Sequence, residues 1–261
     1  MDATNFFFNG SDLHDFGYAI CAFDGEENTV SVPPVSFTTA STPSDDRKKF
    51  ISASYDEAIV FEFSITKFDC YGAITDIDAF EDSAIRKWLC REDGFHPFMF
   101  YQDGFEGIYY NAQINIVPKF INGKIRGYRL TVTTDNAYGY SEWLEKEFDL
   151  SPSLPYRFLS MSDRAGYIYP VWEFTAMQDG DLCVQVKEDD MQMSSIFYKM
   201  KSGVTVTLDS DRGILEGVDA NNFNWIMPRI VQGYGETQNT ITSSIQCHVK
   251  IKYRLARKAV G

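Results

Sequence analysis

Hydrophobic and polar residues alternate with period two along most of this chain, the pattern of strands that bury one face and wet the other. Ile59, Phe61, Phe63 and Ile65 share one face, while Val60, Glu62, Ser64 and Thr66 share the other. Ala112, Ile114 and Ile116 alternate with Gln113 and Asn115; after Asn122-Gly123, Tyr128, Leu130 and Val132 alternate with Arg129, Thr131 and Thr133. Two such runs joined through Asn-Gly predict a hairpin, because both residues tolerate the positive φ of a tight turn. Pro118 is expected to mark where the first of these strands leaves regular pairing.

One segment follows a different period. Phe80, Ala84, Ile85, Trp88 and Leu89 recur at helical spacing between Asp78 and Cys90, with Asp78 and Glu81 placed as a capping pair and Gly94 beyond the end. A single amphipathic helix covering a sheet is the expectation. Ser151-Pro152-Ser153-Leu154-Pro155 reads as a linker, since two prolines cannot continue a central strand. Beyond it the alternation resumes. Leu182, Val184 and Val186 face one way, as do Val204, Val206 and Leu208 before the turn Asp211-Arg212-Gly213. In the last strand Val249, Ile251 and Tyr253 point inward, and His248, Lys250, Lys252 and Arg254 outward. Short strands at this spacing predict a mainly β chain with two domains, the second a sandwich.

Composition narrows the function. Of 261 residues, 21 are Phe and 15 Tyr, an aromatic load suited to strands and interfaces. The formal net charge of −13 repels a phosphate backbone, so DNA reading is disfavoured. Cys21, Cys70, Cys90, Cys183 and Cys247 are odd in number and form no CxxC pair, which is neither a disulfide framework nor a zinc site and points to synthesis in a reducing compartment. Met1-Asp2-Ala3-Thr4-Asn5 lacks the basic start of a secretion signal, and no apolar run reaches membrane-spanning length.

The search for chemistry returns no catalytic, cofactor or metal residues. His14, His96 and His248 are scattered without metal-ligand spacing. Ser64-Ile-Thr-Lys67 matches a bare Ser-x-x-Lys pattern, but on a strand those side chains point to opposite faces. Asp209-Ser-Asp211-Arg-Gly213 is better read as a turn than as a calcium loop, and Asn9-Gly10-Ser11 as a tight turn than as a glycosylation sequon. Trp172 and Trp225 are of the type that stacks on sugars, although core or interface packing is the commoner use. Glu188-Asp189-Asp190, followed by Met191 and Met193, reads as a solvated loop tip between two strands.

The order of these features resembles one family. Phe8-Asn9-Gly10-Ser11 and Asp15-Phe16-Gly17 come first, then the helix ending in Trp88-Leu89 and the Asn122-Gly123 hairpin. Val204 to Asp209, Pro228-Arg229-Ile230-Val231, Gly233-Tyr-Gly-Glu236, Asn239-Thr240-Ile241 and the tail Arg257 to Gly261 follow. The arrangement is similar to the distal tail (Dit) proteins of long-tailed bacteriophages and of phage-derived tail-like particles, most specifically from Pro228 to Gly261. The resemblance implies an N-terminal β-barrel or sandwich-like ring domain with one helix, residues 1–148, and a C-terminal galectin-like β-sandwich, residues 149–261. It further implies a non-enzymatic hub in the virion, made in the host bacterial cytoplasm, whose six copies form a ring. That ring would join the tail tube to the tip, baseplate or receptor-binding proteins and pass DNA as cargo, without cofactors or membrane insertion. Two other classes compete. A galectin-like carbohydrate-binding module for host-surface recognition requires an exposed aromatic platform at Trp172 or Trp225, and a glycan-degrading enzyme requires two converging carboxylates.

Overall fold

The computed structural model describes residues 3–23, 25–42, 45–55, 57–69, 72–188 and 191–258. It divides into two compact units, one running to Gly139 and joined by Lys258, the other Tyr140–Arg257. Each unit has its own buried core.

The first unit holds β1 (Asn5–Phe8), β2 (Ser11–Asp12), β3 (Tyr18–Cys21), β4 (Thr29–Ser31), β5 (Val35–Thr42), β6 (Asp45–Tyr55) and β7 (Val60–Lys67). After these come α1 (Ala79–Leu89), β8 (His96–Tyr101), β9 (Tyr110–Ile121) and β10 (Lys124–Thr134). Its main sheet runs β2-β1-β8-β9-β10-β7-β3, with β4 also on β7. β7 and β8 are separated in that order by β9 and β10. Their rings nevertheless meet: Phe61 lies 5.2 Å from Phe100 and 6.0 Å from Phe98, and Phe63 lies 5.3 Å from Phe100. Only a curled sheet brings those strands face to face, and the Ile20 N–H to Thr4 carbonyl bond (3.0 Å) draws the β3 edge towards the start of β1. Curling fills the interior with the alternating apolar set read from sequence: Phe61, Phe63, Ile65, Tyr128, Leu130 and Val132 are all fully buried. Ser64 and Thr66, on the opposite face of β7, are buried as well.

The predicted helix forms among the described residues as the single α-helix. The Asp78 carboxylate accepts from the Phe80 and Glu81 N–H groups, and Glu81 reaches back to the Asp78 N–H, so both halves of the capping box are made. Trp88 stacks on Phe16 at 4.3 Å and on Phe6 at 5.8 Å, and its indole N–H donates to the Phe8 carbonyl at 3.0 Å. Asp78→Ala is expected to cost about 1 kcal/mol by removing the cap, measured as a shift in urea midpoint with unchanged slope.

The β9–β10 hairpin turns at Asn122 (φ 53°) and Gly123 (φ 77°). β9 runs through Pro118, which stands opposite Tyr128, to Ile121, and its regular register with β10 breaks just beyond Pro118, between the Lys119–Gly127 and Phe120–Ile125 pairs. β8 accompanies β9 only from Tyr110 to Ala112, so Pro118 lies where β9 has β10 as its sole partner, a place proline tolerates.

The division falls within the two-residue β11 (Gly139–Tyr140), ahead of the stretch expected to be the linker. The second unit contains β12 (Leu144–Leu150), β13 (Tyr156–Ser162), β14 (Gly166–Ile168), β15 (Val171–Ala176), β16 (Gly180–Glu188) and β17 (Met191–Met200). It continues with β18 (Thr205–Asp209), β19 (Ile214–Glu216), β20 (Ile230–Gln232), β21 (Gly235–Ser243), β22 (Cys247–Tyr253) and β23 (Ala256–Arg257). β12 pairs with β22 along its whole length, so a boundary at 148/149 would cut a strand that the second unit completes. Ser151 and Leu154 bond to one another across a tight turn through Pro152 and Ser153, and Pro155 follows it directly before β13. The turn carries the chain from one sheet to the other.

Those sheets are β12-β22-β15-β18-β19 and β13-β21-β16-β17. Their inner faces meet as a sandwich: Phe148 on Tyr156 at 3.7 Å, Phe158 against Tyr253 at 5.0 Å, and Phe174 against Phe197 at 5.5 Å. The chain is thus mainly β and built as two units, as the resemblance implies.

Candidate interaction surfaces

β5 and β6 form a two-stranded hairpin outside the three larger sheets of the chain. No described residue from Val35 to Tyr55 belongs to the buried core. Phe37 is 67% exposed, Phe50 65% and Ile51 60%, and Val35 is also exposed. Phe37 and Phe50 touch only edge-on, at 6.3 Å. An isolated two-stranded hairpin is marginal in water, and soluble proteins seldom leave such an apolar surface open without a partner for it.

The two outer faces of the sandwich differ sharply in charge. On the five-stranded sheet, Glu145, Glu147 and Asp149 of β12 stand opposite Lys252, Lys250 and His248 of β22. Lys250 reaches Glu145 at 3.2 Å and Glu147 at 3.7 Å, and His248 meets Asp149 at 2.7 Å. Lys250 and then Lys252 hold the Glu145 carboxyl below its ordinary range. On the four-stranded sheet, Thr242, Gln185 and Ser194 form one cross-strand rung, and Cys183 and Ile196 the next. Lys187 of β16 faces outward in the rung on the other side of Gln185, between Thr240 and Gln192.

Along the β17 edge of that sheet runs a loop whose backbone is fixed by side chains. Asn224 accepts from Ile196 N–H (3.0 Å) and Ile226 N–H (3.3 Å) and donates to the Ser194 carbonyl (2.9 Å), while the Ser195 hydroxyl donates to the Ile226 carbonyl (2.6 Å). Between them Trp225 adopts φ +58° and is 51% exposed.

The other residues singled out from sequence are not gathered at one place. Trp172 is fully buried, stacks on Phe174 at 5.5 Å and donates its indole N–H to the Pro228 carbonyl at 3.2 Å. The Ser64 hydroxyl donates to Glu26, and Lys67 pairs with Glu81. Asp209 accepts from the N–H groups of Asp211 and Arg212, so that segment is a turn stabilised by its own carboxylate. Asn9 (φ 46°) and Gly10 (φ 87°) make the β1–β2 turn. His96 bonds Asp93 at 2.8 Å, and Arg91 and His96 hold that carboxyl well below its usual range. Burial pushes the Cys21 and Cys247 thiols up to about 11, which keeps them protonated and poor nucleophiles at neutral pH. Cys70, Asp189 and Asp190 lie outside the described residues. Among the described residues no three His, Cys, Asp or Glu side chains are grouped to hold a metal. The hairpin from Val35 to Tyr55 carried no alternation strong enough to be read from sequence; its β-branched and aromatic content, threonines with Phe37 and Phe50, was the available signal.

Comparison with known proteins agrees with this anatomy. Residues 1–136 match the phage tail protein N-terminal domain, and residues 138–253 the phage tail C-terminal domain. No curated protein matches the sequence. Among solved structures, the fold is similar to SPP1 Dit (gp 19.1), described as a paradigm of the hub adsorption apparatus in phages infecting Gram-positive hosts. That likeness has a TM-score of 0.64 at 12% identity and covers 97% of this chain and 100% of the other. A chain of the phage P2 baseplate in its activated conformation is similar over the full length of both, with a TM-score of 0.52 at 10% identity. At such identities the structural likeness is one of fold; the two domain matches, which together span nearly the whole sequence, carry the assignment. The chain belongs to the family of phage tail proteins defined by these N-terminal and C-terminal domains.

Proposed function

We propose that this chain is a ring-forming hub at the distal end of a phage tail, joining the tail tube to tip or baseplate proteins and leaving an axial passage for DNA. It acts through assembly geometry, without catalysis. The observation that carries the reading is the β5–β6 hairpin: an apolar arm with no core of its own, whose burial requires another surface. An arm that lies on the next copy makes a head-to-tail contact, and such contacts generate rings when the rotation closes. Passage of DNA asks for surfaces that do not hold phosphate. The −13 charge of the chain suits that requirement; on the outward face of β9 and β10, Gln113, Asn115, Thr131 and Thr133 are neutral and Arg129 is paired with Glu62.

The test is the mass of the purified full chain by light scattering, with negative-stain images. The expected result is a ring of about six copies for the wild type. Phe37→Asp with Phe50→Asp should leave single copies with unchanged circular dichroism, because both side chains lie outside the folded core. A wild type that stays monomeric at high concentration, alone and mixed with its tail tube protein, sinks the proposal.

A further inference from the structure

We infer that Arg229, Tyr167 and Tyr169 on the β14–β20 ribbon form a docking site for a carboxylate-bearing segment of another protein of the tail. The identity of the partner rests on the hub reading; the chemistry of the site rests on the ribbon itself. β14 and β20 make a two-stranded sheet in the register Gly166–Gln232, Tyr167–Val231 and Ile168–Ile230. Ile168 and Ile230 are buried, so Tyr167 and Val231 stand on the outer side. Alternation carries Tyr169 and Arg229, each two residues away, to that same side.

The first observation is an arginine held by a ring instead of by a carboxylate. The Arg229 guanidinium lies over the Tyr167 ring, 3.7 Å from its centroid. Arg86, Arg91, Arg126, Arg129, Arg212 and Arg257 each reach a carboxylate, as a chain with 37 Asp and Glu against 24 Lys and Arg readily allows. Among the described residues Arg229 reaches none. Its Nε is buried without a hydrogen-bond partner, while its two Nη atoms are neither buried nor bonded among the described residues. The stack therefore fixes the guanidinium plane and leaves the prongs of the fork free. A planar carboxylate takes up such a fork with two parallel hydrogen bonds.

The second observation is that the ribbon is rigid. The Ser210 N–H donates to the Pro170 carbonyl at 3.1 Å, the Trp172 indole to the Pro228 carbonyl at 3.2 Å, and Asn239 bonds both main-chain groups of Val231. Groups already fixed in place lose little freedom when a partner arrives. Tyr169 lies beside the stack, its ring 6.4 Å from that of Tyr167, and is 42% exposed. Tyrosine and arginine are among the residues on which protein contacts concentrate their energy. One guanidinium suits one carboxylate, whereas a nucleic acid needs a row of cations, and the −13 charge of the chain repels it. The partner is another tail protein and not a second copy, because the contact between copies has its own element in the first unit, the β5–β6 arm.

The probes are the purified tail tube, tip and baseplate proteins of the same phage, with overlapping synthetic peptides from each of them and from this chain. The full chain is the receptor, in whatever oligomer it forms, and the best peptide is titrated by calorimetry. Saturable binding of a peptide that contains Asp or Glu is expected. Arg229→Gln should weaken it at least about tenfold, and so should replacing the peptide's carboxylate by its amide. Both changes together should weaken it no further than one alone, the signature of a direct pair. Arg229→Lys keeps the charge, loses the fork and should weaken binding severalfold. Tyr169→Ala should do the same with unchanged melting, which separates loss of the site from any loss of fold in the Arg229 variants. Arg212→Gln, on the turn after β18, should change nothing. No saturable binding by protein or peptide, a best binder indifferent to Arg229→Gln and Tyr169→Ala, or binders drawn only from this chain's own sequence overturns the inference. Tighter binding of single-stranded DNA than of every peptide overturns it in favour of a phosphate site. A peptide engages one copy at a time, so a chain that forms no ring still gives a readable result, and absence of peptide binding leaves the ring proposal standing.

Discussion

Replacing Trp172 by alanine is expected to cost the second unit about 3–5 kcal/mol, the range for deleting a large buried aromatic side chain. Trp172 is the largest fully buried side chain among the described residues and stacks on Phe174 in the middle of the five-stranded sheet, where β15 is flanked by β22 and β18. Truncation removes that contact area and also strands the Pro228 carbonyl, which the indole N–H satisfies in the interior. A loss of this size is a large share of the roughly 5–15 kcal/mol that a domain has in total. Trp172→Phe separates the two contributions: most of the ring area stays, the donor goes, and a loss of about 1–3 kcal/mol is expected. The check is chemical denaturation combined with hydrogen exchange, which should place the loss of protection in Tyr140–Arg257. A measured cost below about 1 kcal/mol for the alanine variant would mean that the site collapses onto the hole.

The contrast between Trp172 and Trp225 shows how far sequence could carry the reading. Trp172 lies in a run of alternating residues, with Phe174 two positions on, so its burial follows from period two. Trp225 lies between Asn224 and Ile226 with no periodic neighbours; its exposure depends on a left-handed backbone and on bonds to strand β17, distant in the sequence. Strands with one bulky apolar face, such as Ile59 to Ile65 and Val249 to Tyr253, were legible because burial and alternation coincide there. The β5–β6 hairpin was not. Ser36, Thr38, Thr39, Ser41 and Thr42 give it no continuous apolar face, and whatever covers Phe37 and Phe50 is not in its own core. The Ser151–Pro155 stretch resembles a linker for a related reason. Proline and serine punctuate any chain reversal, and a two-residue turn inside a sandwich looks in one sequence like a link between domains. The short polar residues buried on strands, Ser64, Thr66, Ser160 and Asn239, blur the alternation further, since each is inside for reasons that composition does not show.

Asn239 is the clearest of these, and its replacement by alanine is expected to cost about 2–4 kcal/mol, counting about 1–3 for each buried main-chain group left unpaired. The side chain points inward from β21, is fully buried, accepts from the Val231 N–H at 2.9 Å and donates to the Val231 carbonyl at 2.8 Å. It stands in for a strand partner on that side of β20. The same short segment is held by β14 through the Gly166–Gln232 to Ile168–Ile230 pairs, and by Trp172 through Pro228. The features from Pro228 to Ile241 that gave the sequence its family resemblance therefore do a common physical task, which is to seat β20 against the sandwich. Asn239→Asp tests the donor separately. At neutral pH the buried carboxylate cannot donate to the Val231 carbonyl, and its desolvation makes this variant at least as unstable as alanine. Burial raises the folded-state pKa of that carboxyl above its unfolded value near about 3.9, so the folded form binds the extra proton more readily. The stability of Asn239→Asp relative to the wild type should accordingly rise as pH falls through the raised pKa, when the protonated carboxyl regains a donor. Urea unfolding of both proteins at about pH 7 and about pH 5 measures this difference. A gap that stays constant between the two would show that Asn239 is held by shape and not by its pair of bonds to Val231.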